Sequence, residues 1–145
     1  MKISKLDLKP EAIDFLQSQR FDKLYEPQAN SVDAGILDGK SVLVSAPTAS
    51  GKTLIAMLSM LSHLPKNKSK IVYLSPLRAL AAEKFNEFKK LEKVELGRKI
   101  KVAISTGDFD SVEDKLENSD ILVLTNEKMD ALMRFSQSWI SEIGL

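Results

Sequence analysis

One stretch limits what this chain can fold into more than any other. An apolar run, Ser41-Val42-Leu43-Val44-Ser45, leads into Ala46-Pro47-Thr48-Ala49-Ser50-Gly51-Lys52-Thr53, and Leu54-Ile55-Ala56-Met57-Leu58 follows. The first run is short and rich in β-branched residues, which predicts a buried strand; the second is longer and carries helix formers, which predicts a buried helix. A tight loop ending Gly-Lys-Thr between such elements has the pattern of a phosphate-binding loop. Backbone N–H groups at a helix N-terminus attract anions, and the helix dipole adds to that attraction. Gly51 allows close backbone approach because it has no Cβ. Lys52 is a flexible point charge able to reach β- and γ-phosphates, and the Thr53 hydroxyl is a candidate Mg²⁺ ligand. Pro47, Thr48, Ala49 and Ser50 complete the expected nucleotide site.

Composition adds mainly exclusions. The 145 residues suit one domain, and 21 basic against 20 acidic side chains leave a net charge of +1. Any nucleic-acid site must therefore be a local patch. The chain has no Cys, which rules out disulfides, thiolate metal sites and a cysteine nucleophile. A single His, His63, leaves no His-rich metal cluster, and its place near the end of the expected helix suits a basic C-terminal residue. Met1 to Asp7 lacks an apolar leader, and the apolar stretch from Leu54 to Leu64 is too short to span a bilayer. These features predict a cytoplasmic protein without a membrane partner.

Taken in order, the chain predicts helices over 10–19 and 27–37, the strand over 41–45, and a helix over 51–61. A surface turn is expected over 65–70, where a strand over 70–75 begins, and then a helix from 76 to 91. Further strands are expected at 100–105 and 120–125, with a helix over 127–135 and a last short apolar segment at Trp139-Ile140. Ala29, Val32 and Ile36 are the expected inner face of the second helix, with Ile13, Leu16 and Gln17 sharing a face of the first. Strands alternating with helices indicate an α/β fold with a mainly parallel sheet. Ligands in such sheets bind beyond the C-terminal strand ends. Here those ends are Ser45, Ser75, Ser105-Thr106 and Thr125-Asn126.

Several of these loops carry a family resemblance. Leu24-Tyr25-Glu26-Pro27-Gln28 resembles the glutamine motif that superfamily 2 helicases place before their phosphate loop. Ala46 to Thr53 is similar to their form of that loop. Pro76-Leu77-Arg78-Ala79-Leu80-Ala81, Ser105-Thr106-Gly107-Asp108 and Thr125-Asn126-Glu127-Lys128 resemble the three motifs that follow. The wording is nearest the Ski-two-like branch and the archaeal HelQ-type DNA helicases. The resemblance implies a RecA-like domain that binds ATP with Mg²⁺ and acts with 3′-to-5′ polarity on single-stranded or forked DNA; RNA stays open, because these motifs contact a backbone. Gln28 would read the adenine edge, with Tyr25 packed near the base. Arg78, Thr106, Gly107, Thr125 and Lys128 would touch a single strand. On the residues alone, Gln28 also reads as a solvated helix residue, Thr106-Gly107 as a plain turn, and Trp139 as core.

The family's Asp-Glu-x-His motif is absent from the sequence, so the chain resembles the first part of a helicase domain, expected to be inactive by itself; a stand-alone nucleotide- or nucleic-acid-binding module without turnover stays open beside it. The resemblance also implies that two strands lie between Ser41–Ser45 and Ile71–Ser75, a gap of roughly 14 Å. Direct pairing in a rearranged sheet, a partner chain, or further polypeptide would have to close it.

Overall fold

The computed structural model describes residues 1–47, 50–107, 113–135 and 137–145. Thr48 and Ala49 of the expected nucleotide site, and Asp108 of the turn after the third expected strand, lie outside the described residues. The chain divides into two units, Met1–Asn67 and Lys68–Leu145.

In the first unit, Pro10 occupies the first turn of helix α1 (Pro10–Ser18), where a missing N–H costs nothing. Ala12 and Leu16, four residues apart, form its buried face, and Gln17 is exposed, contrary to the expected face. Helix α2 (Glu26–Asp33) buries Gln28 and Ser31. Its inner face is therefore polar, and Ala29 and Val32 are only half-buried. The Ser31 hydroxyl is satisfied by donating to the Pro27 carbonyl at 2.7 Å. A 3₁₀ turn, Ile36–Asp38, replaces the last expected turn of that helix. Helix α3 (Lys52–His63) buries residues on most sides, as its apolar composition predicts, and carries His63 in its last turn. The Ser62 hydroxyl donates to the Leu37 carbonyl, fixing α3 to the 3₁₀ turn.

The strand expected over 41–45 is not there. Residues 41–47 have no regular secondary structure, and the Leu43 side chain is 98% exposed. A strand in a sheet interior needs backbone partners on both sides, and each unpaired buried group costs about 1–3 kcal/mol. The described residues offer this run no strand partner, and its side chains alternate between exposed and half-buried.

The second unit contains a three-stranded parallel sheet in the order β1 (Ile71–Ser75), β3 (Ile121–Thr125), β2 (Val102–Ser105). Ile71 and Val102 both sit opposite Ile121, so β3 is central, and all five of its residues are buried. One face of the sheet presents Leu122, Leu124 and Ala103 to Leu116, Leu132 and Trp139. At 2% exposure, Trp139 takes the core reading. On the other side, helix α4 (Arg78–Phe88) brings Phe88 edge-on to Tyr73, with centroids 4.9 Å apart at 70°. Burial raises the Tyr73 phenol above its ordinary value.

Helix α4 ends sooner than expected and continues as a 3₁₀ turn, Lys89–Lys93. Lys84 is largely covered and lies 2.9 Å from Glu83 and 3.1 Å from Glu87. Burial pulls its pKa down, but the two carboxylates outweigh burial and hold it above the ordinary value. A short helix that the sequence pattern does not predict, α5 (Glu113–Glu117), precedes β3. The buried Lys70 ammonium caps its C-terminal end, donating to the Glu117 carbonyl and to that of Ser119 at 2.9 Å. Helix α6 (Asn126–Arg134) and a 3₁₀ turn, Ser138–Glu142, complete the unit.

Candidate nucleotide and nucleic-acid sites

In the first unit, the phosphate-loop residues and the glutamine motif meet. Gly51 is the N-cap of α3 and has φ +75°, in the left-handed region that only glycine adopts without cost. The space beside it is occupied, since a Cβ there would come within 2.2 Å of Gln28 Nε2. Gln28 is only 2% exposed. Its amide N–H donates to the Gly51 carbonyl at 3.2 Å and to that of Ser50 at 3.4 Å. Its amide oxygen accepts the Tyr25 backbone N–H at 2.8 Å. The solvated reading of Gln28 is therefore wrong: the side chain is a buried tie between α2 and the loop. Both ends of the amide are used inside the protein, a role the sequence reasoning did not assign. Beside it, the Tyr25 ring is 69% exposed and presents an open aromatic face.

Lys52 begins α3 and folds back over the loop. Its ammonium donates to the Ala46 carbonyl at 2.7 Å and the Pro47 carbonyl at 2.8 Å. Neutral carbonyls leave this charge uncompensated, so an anion can draw it away. Thr53 follows in the first turn and is half-buried. Among the described residues, the Ser50 hydroxyl is buried without a hydrogen-bond partner. A glycine cradle, an uncompensated ammonium, an unsatisfied hydroxyl and a helix N-terminus together suit a phosphate chain. Among the described residues no cluster of acids or His could hold a metal. Mg²⁺ at this loop would rest on the Thr53 hydroxyl and on phosphate oxygens.

In the second unit, three of the expected strand-contact residues converge. Thr125 ends β3, and its hydroxyl accepts the Lys128 backbone N–H at 3.3 Å, capping α6. The Lys128 ammonium crosses to the Gly107 carbonyl at 3.1 Å. Gly107, Thr125 and Lys128 are thus one constellation, and Thr106 adjoins it. Thr125 is only 2% exposed, so its hydroxyl serves to place Lys128 and is not itself presented. A Thr followed by Asn-Glu is a legible capping signal that sequence reasoning passed over. Arg78 stands apart on the exposed first residue of α4, where its charge opposes the helix dipole.

Residues 25–145 match the description of the DEAD/DEAH box helicases. The chain belongs to this family. Among curated relatives, it is 43% identical over 145 residues to the ATP-dependent DNA helicase Hel308 of Pyrococcus abyssi, covering 100% of this chain and 20% of that one. It is 46% identical over 143 residues to Hel308 of Pyrococcus horikoshii, covering 99% and 19% respectively. The chain therefore spans about a fifth of the length of these DEAD/DEAH relatives. Among solved structures, it is similar to the DUF1998 helicase MrfA bound to DNA and AMPPNP. That likeness has a TM-score of 0.77 at 27% identity and covers 92% of this chain and 19% of that one. The α/β architecture with its parallel sheet is accordingly that of part of a RecA-like helicase fold. Among the described residues, no helix is long and apolar enough to cross a membrane.

Proposed function

We infer that residues 1–145 supply the ATP-binding portion of an ATP-dependent DNA helicase, the first part of its first RecA-like domain. It would act on single-stranded or forked DNA with 3′-to-5′ polarity, in the cytoplasm. The observation that carries this reading is the loop at Gly51, where the Gln28 amide, a left-handed glycine and the Lys52 ammonium meet. Lys52 would exchange the Ala46 and Pro47 carbonyls for β- and γ-phosphate oxygens. Thr53 would hold Mg²⁺, which supplies charge neutralisation to the phosphates when bound. Pro47, Thr48, Ala49, Ser50 and Gly51 would form the cradle. Tyr25 would stack near the base, and Gln28 would read the adenine edge by releasing one of its internal hydrogen bonds. Arg78, Thr106, Gly107 and Lys128 would contact a strand's backbone, with Thr125 holding Lys128 in place. The curated relatives named ATP-dependent DNA helicases support the choice of DNA.

The decisive test is titration of a fluorescent ATP analogue into the wild-type chain and Lys52→Ala. Affinity should fall at least about tenfold, the loss of one charge-assisted phosphate contact, with the far-UV spectrum unchanged. Equal affinity would remove the phosphate-loop assignment. For the strand, Arg78→Ala and Lys128→Ala should each lower the salt slope of binding by roughly 0.7. Matched DNA and RNA oligonucleotides in the same titration decide between the two polymers.

A further inference from the structure

Strand β2 is an edge of the sheet, and the structure shows which of its groups face outward. The Lys101 carbonyl accepts the backbone N–H groups of Asp120 and Ile121, so residue 101 points toward β3. Orientation alternates along a parallel strand, so Ala103 and Ser105 point the same way, and Val102 and Ile104 point away from β3. The Val102 N–H confirms this by donating to the Glu92 carboxylate at 2.9 Å. The Val102 carbonyl and both backbone groups of Ile104 therefore face a cleft of about 840 Å³. Its floor is apolar, with Phe85, Val102 and Ile104, and its rim carries Lys101 and Lys115. Among the described residues, neither of these two ammonium groups has an acidic partner, whereas Lys89 nearby is paired with Glu92 at 2.8 Å.

We propose that this cleft binds an extended acidic peptide segment of a partner protein, which adds as a strand along β2. The outward backbone groups offer a donor and acceptors at the spacing of a β-ladder, which a peptide can match and a nucleic acid cannot. The apolar floor takes every second side chain of such a strand, and the two lysines, which have no acidic partner among the described residues, favour acids at the others. Glu92 already holds the Val102 N–H, so it closes one end of the edge and fixes where the added strand stops. A basic rim alone would also attract a nucleic-acid backbone. The ladder groups and the apolar floor are what select a peptide.

The probe is a fluorescein-labelled octapeptide of alternating Glu and Val, followed by anisotropy with the whole chain. Binding should weaken about tenfold when alternate peptide nitrogens are methylated, which removes two ladder hydrogen bonds. Lys101→Glu and Lys115→Glu should each weaken it several-fold while leaving binding of the fluorescent ATP analogue unchanged. Absence of binding, or equal binding of the methylated peptide, would overturn the proposal. So would displacement of the peptide by a thymidine 15-mer whose own binding falls in the same two variants, since the cleft would then be a nucleic-acid surface.

Discussion

Ser41–Ser45 and Ile121–Thr125 are near twins in sequence. Each is a five-residue apolar run that ends in a polar loop, and each is followed by a helix with a lysine in its first turn. Their fates differ completely. The second becomes the central strand of the sheet with all five residues buried, and the first has no regular structure and an exposed Leu43. Hydrophobicity and β-branching are therefore insufficient for a strand; what separates the two runs is whether other backbones stand on both sides. The loops beyond them are also built differently. After 121–125, a side-chain hydroxyl caps the helix; after 41–45, a left-handed glycine does so, braced by a glutamine amide from another helix.

The largest effect that should expose this difference is on core packing. Leu122→Ala removes side-chain volume from the middle of the buried cluster and should destabilise the second unit by about 2–5 kcal/mol. Leu43→Ala should change stability by less than about 0.5 kcal/mol. Trp139, the single tryptophan, lies in that cluster and reports unfolding of the second unit in urea, and the far-UV helical signal, to which α1, α2 and α3 contribute, follows the first. If Leu43→Ala proved comparably costly, residues 41–45 would be packed in solution and the contrast between the runs would fail.

Next comes the glycine loop. Gly51→Ala forces a side chain into the left-handed region, at about 1–2 kcal/mol, and drives its Cβ against Gln28. The chain should melt lower and bind the ATP analogue more weakly. Adding Gln28→Ala removes the collision but not the backbone strain, so only part of the loss should return. Full recovery would mean that the left-handed conformation is not required there.

The corresponding cap in the second unit is worth less. Thr125→Ala should cost about 1 kcal/mol of stability and loosen Lys128, while Thr125→Ser should behave almost as the wild type. Comparable melts for all three would show that the hydroxyl does not cap α6.

The smallest effect concerns Glu92, which does for the β2 edge what no described residue does for residues 41–45. Burial pushes its carboxyl up, but the Lys89 ammonium and the Val102 N–H outweigh burial and hold it below the ordinary carboxylate value. Since the folded pKa is depressed, its stabilising contribution is present above the unfolded value and fades as pH falls through the lower folded one. Glu92→Gln keeps an acceptor for Val102 but should flatten that acid-side loss, as read by melts across pH 3 to 6. An unchanged acid limb would assign the loss to other carboxylates.

Most of the architecture was legible from the sequence because its signals are local. The apolar α3, the three strands of the second unit and the helices that follow β1 and β3 follow from periodicity and punctuation alone. Residues 41–45 misled because a strand's partners are not encoded in the strand. Helix α5 was missed because one leucine, Leu116, among four charged residues carries no periodicity; it is held by the buried Lys70 ammonium, more than forty residues away in the sequence. At the candidate nucleotide site, residue types were readable but geometry was not. Nothing in Leu24 to Gln28 says that the amide would be spent on the Ser50 and Gly51 carbonyls.

The strand order β1-β3-β2 also sets a timetable for the chain as it is made. Both pairings of the sheet require β3, the last of the three strands to be synthesised. Residue 71 must wait for residue 121 before it acquires its ladder partner. At about 5–20 residues per second, that wait is roughly 3–10 s. During it, β1 and β2 are exposed apolar segments that cannot pair with each other without breaking the native register. The interval before the middle strand emerges is therefore when a nascent chain of this design is most prone to associate with its neighbours and most in need of a chaperone.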